Sequence, residues 1–160
     1  MDNTTTMDHA EFTARRSLPM MALRGLTVFP GMMLTFEVER SMSIAALNMA
    51  MSDDQIIYLV PQKDIATDIP TPDDVYGVGT VCRIKQMMKQ PGTKTIRVMA
   101  EGIERGRTLA VRTDMPCFVA EVEPMPDVAE RKTARIEALI RHCCNLFDAY
   151  VTVSGNMAPE

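Results

Sequence analysis

Short apolar runs separated by turn residues occupy the first part of the chain and predict β-strands. The run over residues 18–23 ends at Arg24-Gly25, residues 26–29 resume it, and Pro30-Gly31 closes it with a strong turn signal. Residues 32–38, MMLTFEV, then have the length and composition of a further strand. We therefore expect two or three short strands with tight connections.

The pattern changes to helical spacing after Arg40. Ser41 or Ser43 can cap a helix that runs to about Ser52. Its apolar positions fall on one face at helical spacing: Ile44, Leu47 and Met51. Residues 55–60, QIIYLV, follow as a continuous apolar run of strand length, which predicts the most buried strand. The acidic, proline-containing residues 64–74 predict a loop.

Strict alternation over residues 79–111 predicts a β-hairpin with its turn at Gln90-Pro91-Gly92. Its first strand places on one face Cys82, Ile84, Gln86 and Met88, and on the other Arg83, Lys85, Met87 and Lys89. Its second strand places on one face Ile96, Val98 and Ala100, and on the other Arg97, Met99 and Glu101. This alternation is typical of a sheet with one buried and one solvated face. Residues 117–122 add another strand.

Helical periodicity returns near the end of the chain. Asp127 and Glu130 have the spacing of a capping box, and Ser154-Gly155 is a helix stop. The apolar positions between them recur on one face: Ile136, Ile140, Cys143, Phe147 and Tyr150. Pro159-Glu160 resembles the start of a new helix, so the chain reads as truncated. Residues 1–17 are polar and acidic, and we expect a disordered leader there.

Methionine is the unusual component of this chain, with 15 Met and no Trp among 160 residues. Three adjacent pairs lie in predicted strands, at 20–21, 32–33 and 87–88. Strand neighbours point to opposite faces, so one member of each pair should leave the core. The alternation predicts Met51 and Met88 inside and Met87 and Met99 outside. The outward methionines either contact variable partners or are covered by a loop or neighbouring subdomain.

The candidate chemistry argues against catalysis by this chain. There is no GxxxxGK[ST] loop for nucleotide phosphates and no GxSxG elbow, and the two histidines, His9 and His142, lie in the leader and on a helix. Asp73-Asp74, in an acidic, proline-rich loop, is better explained as solvated charge or a helix cap than as an acid–base pair. His142 beside Cys143-Cys144 suggests a metal less strongly than two cysteines on the inner side of a helix. We expect no cofactor, metal or catalytic residue.

The net charge of −4 gives little attraction to nucleic acid overall, but residues 83–112 hold eight Lys or Arg and two Glu. No aromatic residue is interleaved there for base stacking, which argues against RNA binding. The uncharged run over residues 41–52, which no other run exceeds, is too short to span a bilayer, and residues 1–17 lack the features of a signal peptide. We therefore expect a cytoplasmic protein without membrane contact.

Five segments together closely resemble the N-terminal domain of the ATP-dependent protease Lon. They are LPMMALRGLTVFPGMML (18–34), SIAALNMAM (43–51), LVPQKD (59–64), PTPDDVYGVGTVCRI (70–84) and VMAEGIERGR (98–107). The resemblance implies an α+β fold, with a PUA-like curled antiparallel β-sheet or pseudo-barrel, one packed helix, and a following C-terminal helix. It places the β-rich domain at residues 18–124 and the truncated start of a helical segment at 125–160.

The resemblance also implies a non-catalytic domain that engages unfolded or damaged proteins and contributes to self-association in a hexameric ring. The family's nucleotide loop and Ser-Lys catalytic pair lie further along its chain and do not occur here. The predicted substrate-binding residues combine this role with strand alternation: Met32, Met33, Leu34, Met87, Met88 and Met99. Two alternatives remain, a free-standing adaptor or ligand-binding protein of the same fold, and an RNA-binding PUA-like domain.

Overall fold

Alternating and continuous apolar runs become six strands and one helix in the first part of the molecule. The computed structural model describes residues 14–126 and 133–154, and the chain divides after Pro126 into two units. The elements of the first unit are β1 (Arg16–Leu23), β2 (Met33–Val38), α1 (Ser41–Met51), β3 (Ile56–Pro61), β4 (Val78–Lys89), β5 (Ile96–Arg112) and β6 (Phe118–Met125), with a single 3-10 turn at Pro72–Asp74 between β3 and β4. The predicted run at 26–29 forms no strand, and most of the predicted leader lies outside the described residues.

The strands form one sheet in the order β2-β5-β4-β3-β1-β6, and β6 also pairs with β5, so five of them close into a barrel. The long strand β5 makes this possible, since its first half pairs with β2 and its second half with β6. The predicted α+β fold with a curled, closed sheet is confirmed, although the sheet is mixed and not antiparallel throughout, because β1 and β3 are parallel. A parallel pair needs a crossover connection, and α1 supplies it by packing on both strands.

The core has two parts because the central strands are covered on both faces. One apolar cluster lies between the sheet and α1 and the other lies inside the barrel. The predicted burial of β3 is confirmed, since the residues from Ile56 to Val60 are at most 2% exposed. The expectation that one of Met20 and Met21 leaves the core is wrong. Met20 points into the barrel and Met21 towards α1.

The buried face of α1 agrees with the predicted one at Leu47 and in part at Ile44, but it is turned away from Met51. Its buried positions are Ser43, Ala46, Leu47 and Ala50. Small side chains at three of these positions let the helix lie close to β1 and β3, which rotates Met51 outward to 37% exposure. Neither serine caps the helix, because the N-cap residue is Arg40 and no side chain makes a capping hydrogen bond.

The second unit contains the predicted terminal helix, α2 (Ala134–Ser154). Thr133 precedes it, and its Oγ1 accepts a hydrogen bond from the amide of Ile136 at 3.3 Å. The predicted apolar positions share one side of α2, where Ile140, Phe147 and Tyr150 are more than half exposed. The predicted capping box at 127–130 and the helix-start signal at 159–160 lie outside the described residues.

The four thiols should separate into two reactive and two protected groups. Cys82 and Cys117 are buried, and burial raises the pKa of both thiols, that of Cys82 to about 12. Cys143 and Cys144 are exposed on α2 instead of facing inward as predicted. Because the thiolate is the reactive species, a disulfide reagent should label two thiols rapidly in the native protein and four in denaturant. Rapid labelling that persists in the Cys143→Ser/Cys144→Ser double variant would contradict this assignment.

Candidate functional site

One solvated sheet face is built from the first half of the long strand β5 and its two neighbours. β5 pairs with β2 on one side and β4 on the other, so residues directly opposite share a face. Three cross-strand rows result, and each contains one methionine. They are Met33–Glu101–Arg83, Thr35–Met99–Gln86 and Glu37–Arg97–Met88. We call this surface the outer face.

The three methionines form a diagonal across the outer face. Met33 lies on β2, Met99 on the central strand β5 and Met88 on β4, each one row further along. Diagonal neighbours in a sheet are about 7–8 Å apart, within reach of long side chains. Met33 is 53% and Met88 48% exposed, while Met99 is half-buried between them. Thr35, Gln86 and Arg97 complete a depression of about 230 Å³ around Met88 and Met99.

Ion pairs flank the methionine diagonal on both sides. Lys85 and Glu101 approach to 2.6 Å on one side, and Arg97 and Glu37 to 3.0 Å on the other. Each pair is about half exposed, so it adds little to stability. The two ion pairs border the apolar strip. Water therefore reaches both of its edges, and the strip is about one side chain wide.

The assignment of Met87 and Met88 to the two faces is the reverse of the prediction. The register of β4 against β5 shifts between Ile84 and Gln86, which marks a β-bulge that includes Lys85. One extra residue exchanges the two faces for every position beyond it. Met87 therefore packs partly against the α1-side core and Met88 faces solvent. The prediction that Met99 faces outward, with Ile96, Val98 and Ala100 buried, is confirmed.

The other predicted binding residues lie at the start of β2. Met32 is 37% exposed in a turn that also exposes Phe29. This turn is fastened to β5, because the amide of Gly31 donates to the Gly102 carbonyl at 2.8 Å and the amide of Gly102 donates to the Met32 carbonyl at 2.9 Å. Leu34, in contrast, packs partly against the core. The structure thus brings Met32, Met33, Met88 and Met99 to the surface and turns Leu34 and Met87 inward.

A second candidate site, which contains none of the predicted binding residues, lies at the start of α1. An apolar cleft of about 200 Å³ opens there beside Arg40. The Arg40 guanidinium donates to the Ala22 carbonyl at 2.5 Å and to Gln62 Oε1 at 3.2 Å. The Gln62 amide nitrogen donates in turn to the carbonyls of Asp64 and Thr67, both at 2.6 Å. This network fixes the loop that forms one wall of the cleft.

The chemistry of a metal or membrane site is not found in the residues described. No group of three or more His, Cys, Asp or Glu side chains within residues 14–126 and 133–154 could hold a metal ion. The same residues contain no helix with the length and apolarity that a membrane crossing requires. The loop aspartate Asp74 is a structural group. Its carboxylate accepts hydrogen bonds from the amide and hydroxyl of Thr71, which lower its pKa.

The closed sheet with one packed helix matches solved N-terminal domains of Lon proteases. The fold is similar to the N-terminal domain of a Mycobacterium avium complex Lon protease, with a TM-score of 0.70 and 19% identity over 88% of this chain and 70% of that one. A Lon N-terminal domain protein from Xanthomonas campestris gives a TM-score of 0.57 at 17% identity, over 75% of this chain and 66% of that one. At such identities the likeness defines the fold class alone.

The sequence comparisons define the family. The profile of the ATP-dependent protease La (LON) substrate-binding domain matches residues 17–160, and the chain belongs to this family. It is 38% identical to a Lon protease of Clostridioides difficile over 99% of its own length and 42% identical to one of Desulforamulus reducens over 91%. It spans 20% and 18% of those relatives, about a fifth of a full-length Lon protease.

Proposed function

We propose that this domain binds exposed apolar segments of unfolded or damaged proteins on its outer face. The observation that carries the proposal is the diagonal of Met33, Met99 and Met88 across three strands, with an ion pair on each side. An extended apolar segment can lie along such a strip. Polar residues next to the apolar ones in the bound segment would contact the charged side chains of the two ion pairs.

Methionine suits this task because a client has no fixed sequence. Its unbranched thioether chain adopts many shapes and is polarizable, so it contacts differently shaped side chains with similar strength. A strip one side chain wide also limits the exposed apolar area, which protects the domain from self-aggregation. Met32 and Phe29 extend the strip beyond Met33, and Leu34 and Met87 support it from the core side.

The parent protein that we propose is an ATP-dependent endopeptidase of the bacterial cytoplasm that assembles as a hexameric ring. The relatives are bacterial Lon proteases about five times longer than the match. These 160 residues contain no GxxxxGK[ST] loop, so nucleotide hydrolysis and peptide cleavage belong to other parts of such a chain. In this scheme the domain captures the client and the rest of the ring unfolds and cleaves it.

Removing two methionines of the strip should weaken client binding without unfolding the domain. Met88→Ser/Met99→Ser should reduce affinity for a permanently unfolded, reduced and alkylated protein about tenfold, because two apolar contacts are lost. The melting temperature should change by only about 2 °C, since Met88 is exposed and Met99 half-exposed. Fluorescence anisotropy and thermal unfolding monitored by circular dichroism measure the two quantities.

The neighbouring residue Met87 provides the matched control. It packs partly against the core, so Met87→Ser should lower the melting temperature more than the double variant does and leave the affinity of the folded protein nearly unchanged. If the double variant retains full affinity while Met87→Ser loses it, the outer face is not the binding surface.

RNA is a weaker candidate for this surface. Two of the basic residues of the 83–112 segment, Lys85 and Arg97, are paired with Glu101 and Glu37. Paired side chains have fewer free charges for phosphates, and a strip of thioethers offers no platform for stacked bases. RNA affinity that falls steeply with salt would favour this alternative over client binding.

A further inference from the structure

The cleft at the start of α1 combines an apolar interior with a cation at its edge. Its apolar lining comes from β1, α1, β6 and the loop before Pro72: Met20, Met21, Met42, Ile69, Pro70 and Phe118. The volume of about 200 Å³ is sufficient for one large apolar side chain. The cleft continues into a wider groove of about 550 Å³ beside β2, which shares Arg40 and Ile69 with it. An extended chain could therefore enter along the groove and end in the cleft.

Arg40 brings a positive charge to the cleft without a matching carboxylate. It is partly buried, and its hydrogen-bond acceptors are the carbonyls of Ala22 and Asp68 and the Gln62 amide oxygen, all of them neutral. No described residue gives it an ion pair within 4.0 Å, since the carboxylate of Asp68 pairs instead with Arg24 at 2.9 Å. Burial and the charge of Arg24 lower the pKa of Arg40, while Asp68 opposes them. A partly buried cation of this kind favours an anionic ligand.

The helix start beside Arg40 adds hydrogen-bond donors. The first amides of an α-helix have no acceptor within the helix, and here no side chain caps them and the first turn has no acidic residue. Ser43 is only 7% exposed and lines the cleft, and its hydroxyl has no hydrogen-bond partner among the residues that the structure describes. The Ser43 hydroxyl is not among the fully buried atoms that lack a partner, so it stays open to the cleft and can donate to a ligand oxygen.

We infer that this cleft binds the C-terminal residue of a client polypeptide, with the α-carboxylate at Arg40, Ser43 and the first amides of α1 and an apolar side chain in the cleft. The inference rests on the proposed client-binding function and adds to it a second binding site, for the end of the client chain. A terminal residue such as leucine carries a single negative charge and an apolar group on the same carbon. An aspartate or glutamate side chain lacks the apolar part.

The test compares one peptide in two chemical forms. A fluorescein-labelled peptide ending in leucine should bind the full 160-residue chain about tenfold more tightly as the free acid than as the C-terminal amide, because the charge-assisted hydrogen bonds are lost on amidation. The same peptide ending in serine should lose most of its affinity in the acid form. Equal affinity of acid and amide overturns the inference. So does competition by octanoate together with no binding of the peptide acid, which would identify a small-molecule carboxylate site.

Variants separate the role of Arg40 from its support of the fold. Arg40→Gln should abolish the difference between acid and amide, but it also removes the bond to Ala22. Ile69→Glu avoids this problem, because Ile69 is 79% exposed and the new charge would repel the carboxylate at the cleft mouth. The control Arg112→Gln removes an exposed arginine that lines neither candidate site and should preserve the difference. If Ile69→Glu also preserves it, the carboxylate binds elsewhere and the inference fails.

The two binding proposals can fail separately. Met88→Ser/Met99→Ser should weaken binding of the unfolded protein but leave the acid–amide difference intact, because these residues do not line the cleft. An acid–amide difference that disappears in this variant would place the carboxylate on the outer face and contradict the cleft assignment.

Discussion

Replacing Gly102 by alanine should destabilise the first unit by about 3 kcal/mol, one of the two largest effects we expect. A Cβ at this position would lie 2.2 Å from the carbonyl oxygen of Phe29 and 3.0 Å from its carbonyl carbon. These are backbone atoms of a turn that is hydrogen-bonded to Gly102 through Gly31 and Met32, so they cannot move without breaking those bonds. The melting temperature should fall by roughly 10 °C in a thermal unfolding experiment.

Gly77 provides the matched control for this substitution. A Cβ there meets no atom within 4 Å and the residue has no positive φ, so Gly77→Ala should be neutral or slightly stabilising. Gly102→Ala should also weaken client binding, because displacement of the turn moves Met32 and Phe29. Similar melting temperatures for the two variants would show that the turn does not lie against β5 as described.

Leu47→Ala should cost about 3 kcal/mol of unfolding free energy, whereas Met51→Ala on the same helix should cost less than about 1 kcal/mol. Leu47 is fully buried in the cluster between α1 and the sheet, and its truncation leaves a cavity. Met51, one turn later, is 37% exposed. Urea unfolding with unchanged slope measures both values. Equal losses of unfolding free energy at the two positions would indicate that α1 buries Met51 as well as Leu47, as the sequence predicts.

The sequence was sufficient for the identity of most elements, because long periodic segments specify them. The alternation in β5 correctly buried Ile96, Val98 and Ala100, and the apolar run of β3 correctly marked the most buried strand. The family resemblance supplied the α+β fold and the membership of the Lon substrate-binding-domain family, both of which the comparisons confirm. The parallel pairing of β1 with β3 could not be predicted, because strand partners depend on contacts between distant residues.

The errors in the candidate site have two physical causes. Period-two reasoning assumes an unbroken ladder, so the bulge between Ile84 and Gln86 reversed the assignments of Met87 and Met88. It also assumes that one face of each strand is wet, which fails for Met20 and Met21 in a strand between two apolar clusters. One extra residue in a β-strand cannot be recognised from the sequence when polar and apolar residues lie on both sides of it.

The shape of the cleft beside Arg40 could not be predicted from the sequence, for a different reason. Its walls come from segments far apart in the chain, with Met20, Ile69 and Phe118 meeting only in the folded sheet. The serines at 41 and 43 suggested ordinary capping, and that expectation concealed the open helix start. The usable signal was an arginine followed directly by a helix without an acidic first turn.

Closure of the barrel by β6 has a consequence for biosynthesis. β6 pairs with β1, so Met20 meets Phe118 across nearly the whole length of the first unit. On the ribosome, β1 to β5 emerge first, and the barrel interior, including Tyr58, stays open to solvent until the residues of β6 have left the exit tunnel. Such long-range pairing slows folding to about milliseconds to seconds in comparable all-β proteins. A nascent domain of this kind is itself an unfolded polypeptide with exposed apolar strands, the class of molecule that we propose its mature form binds.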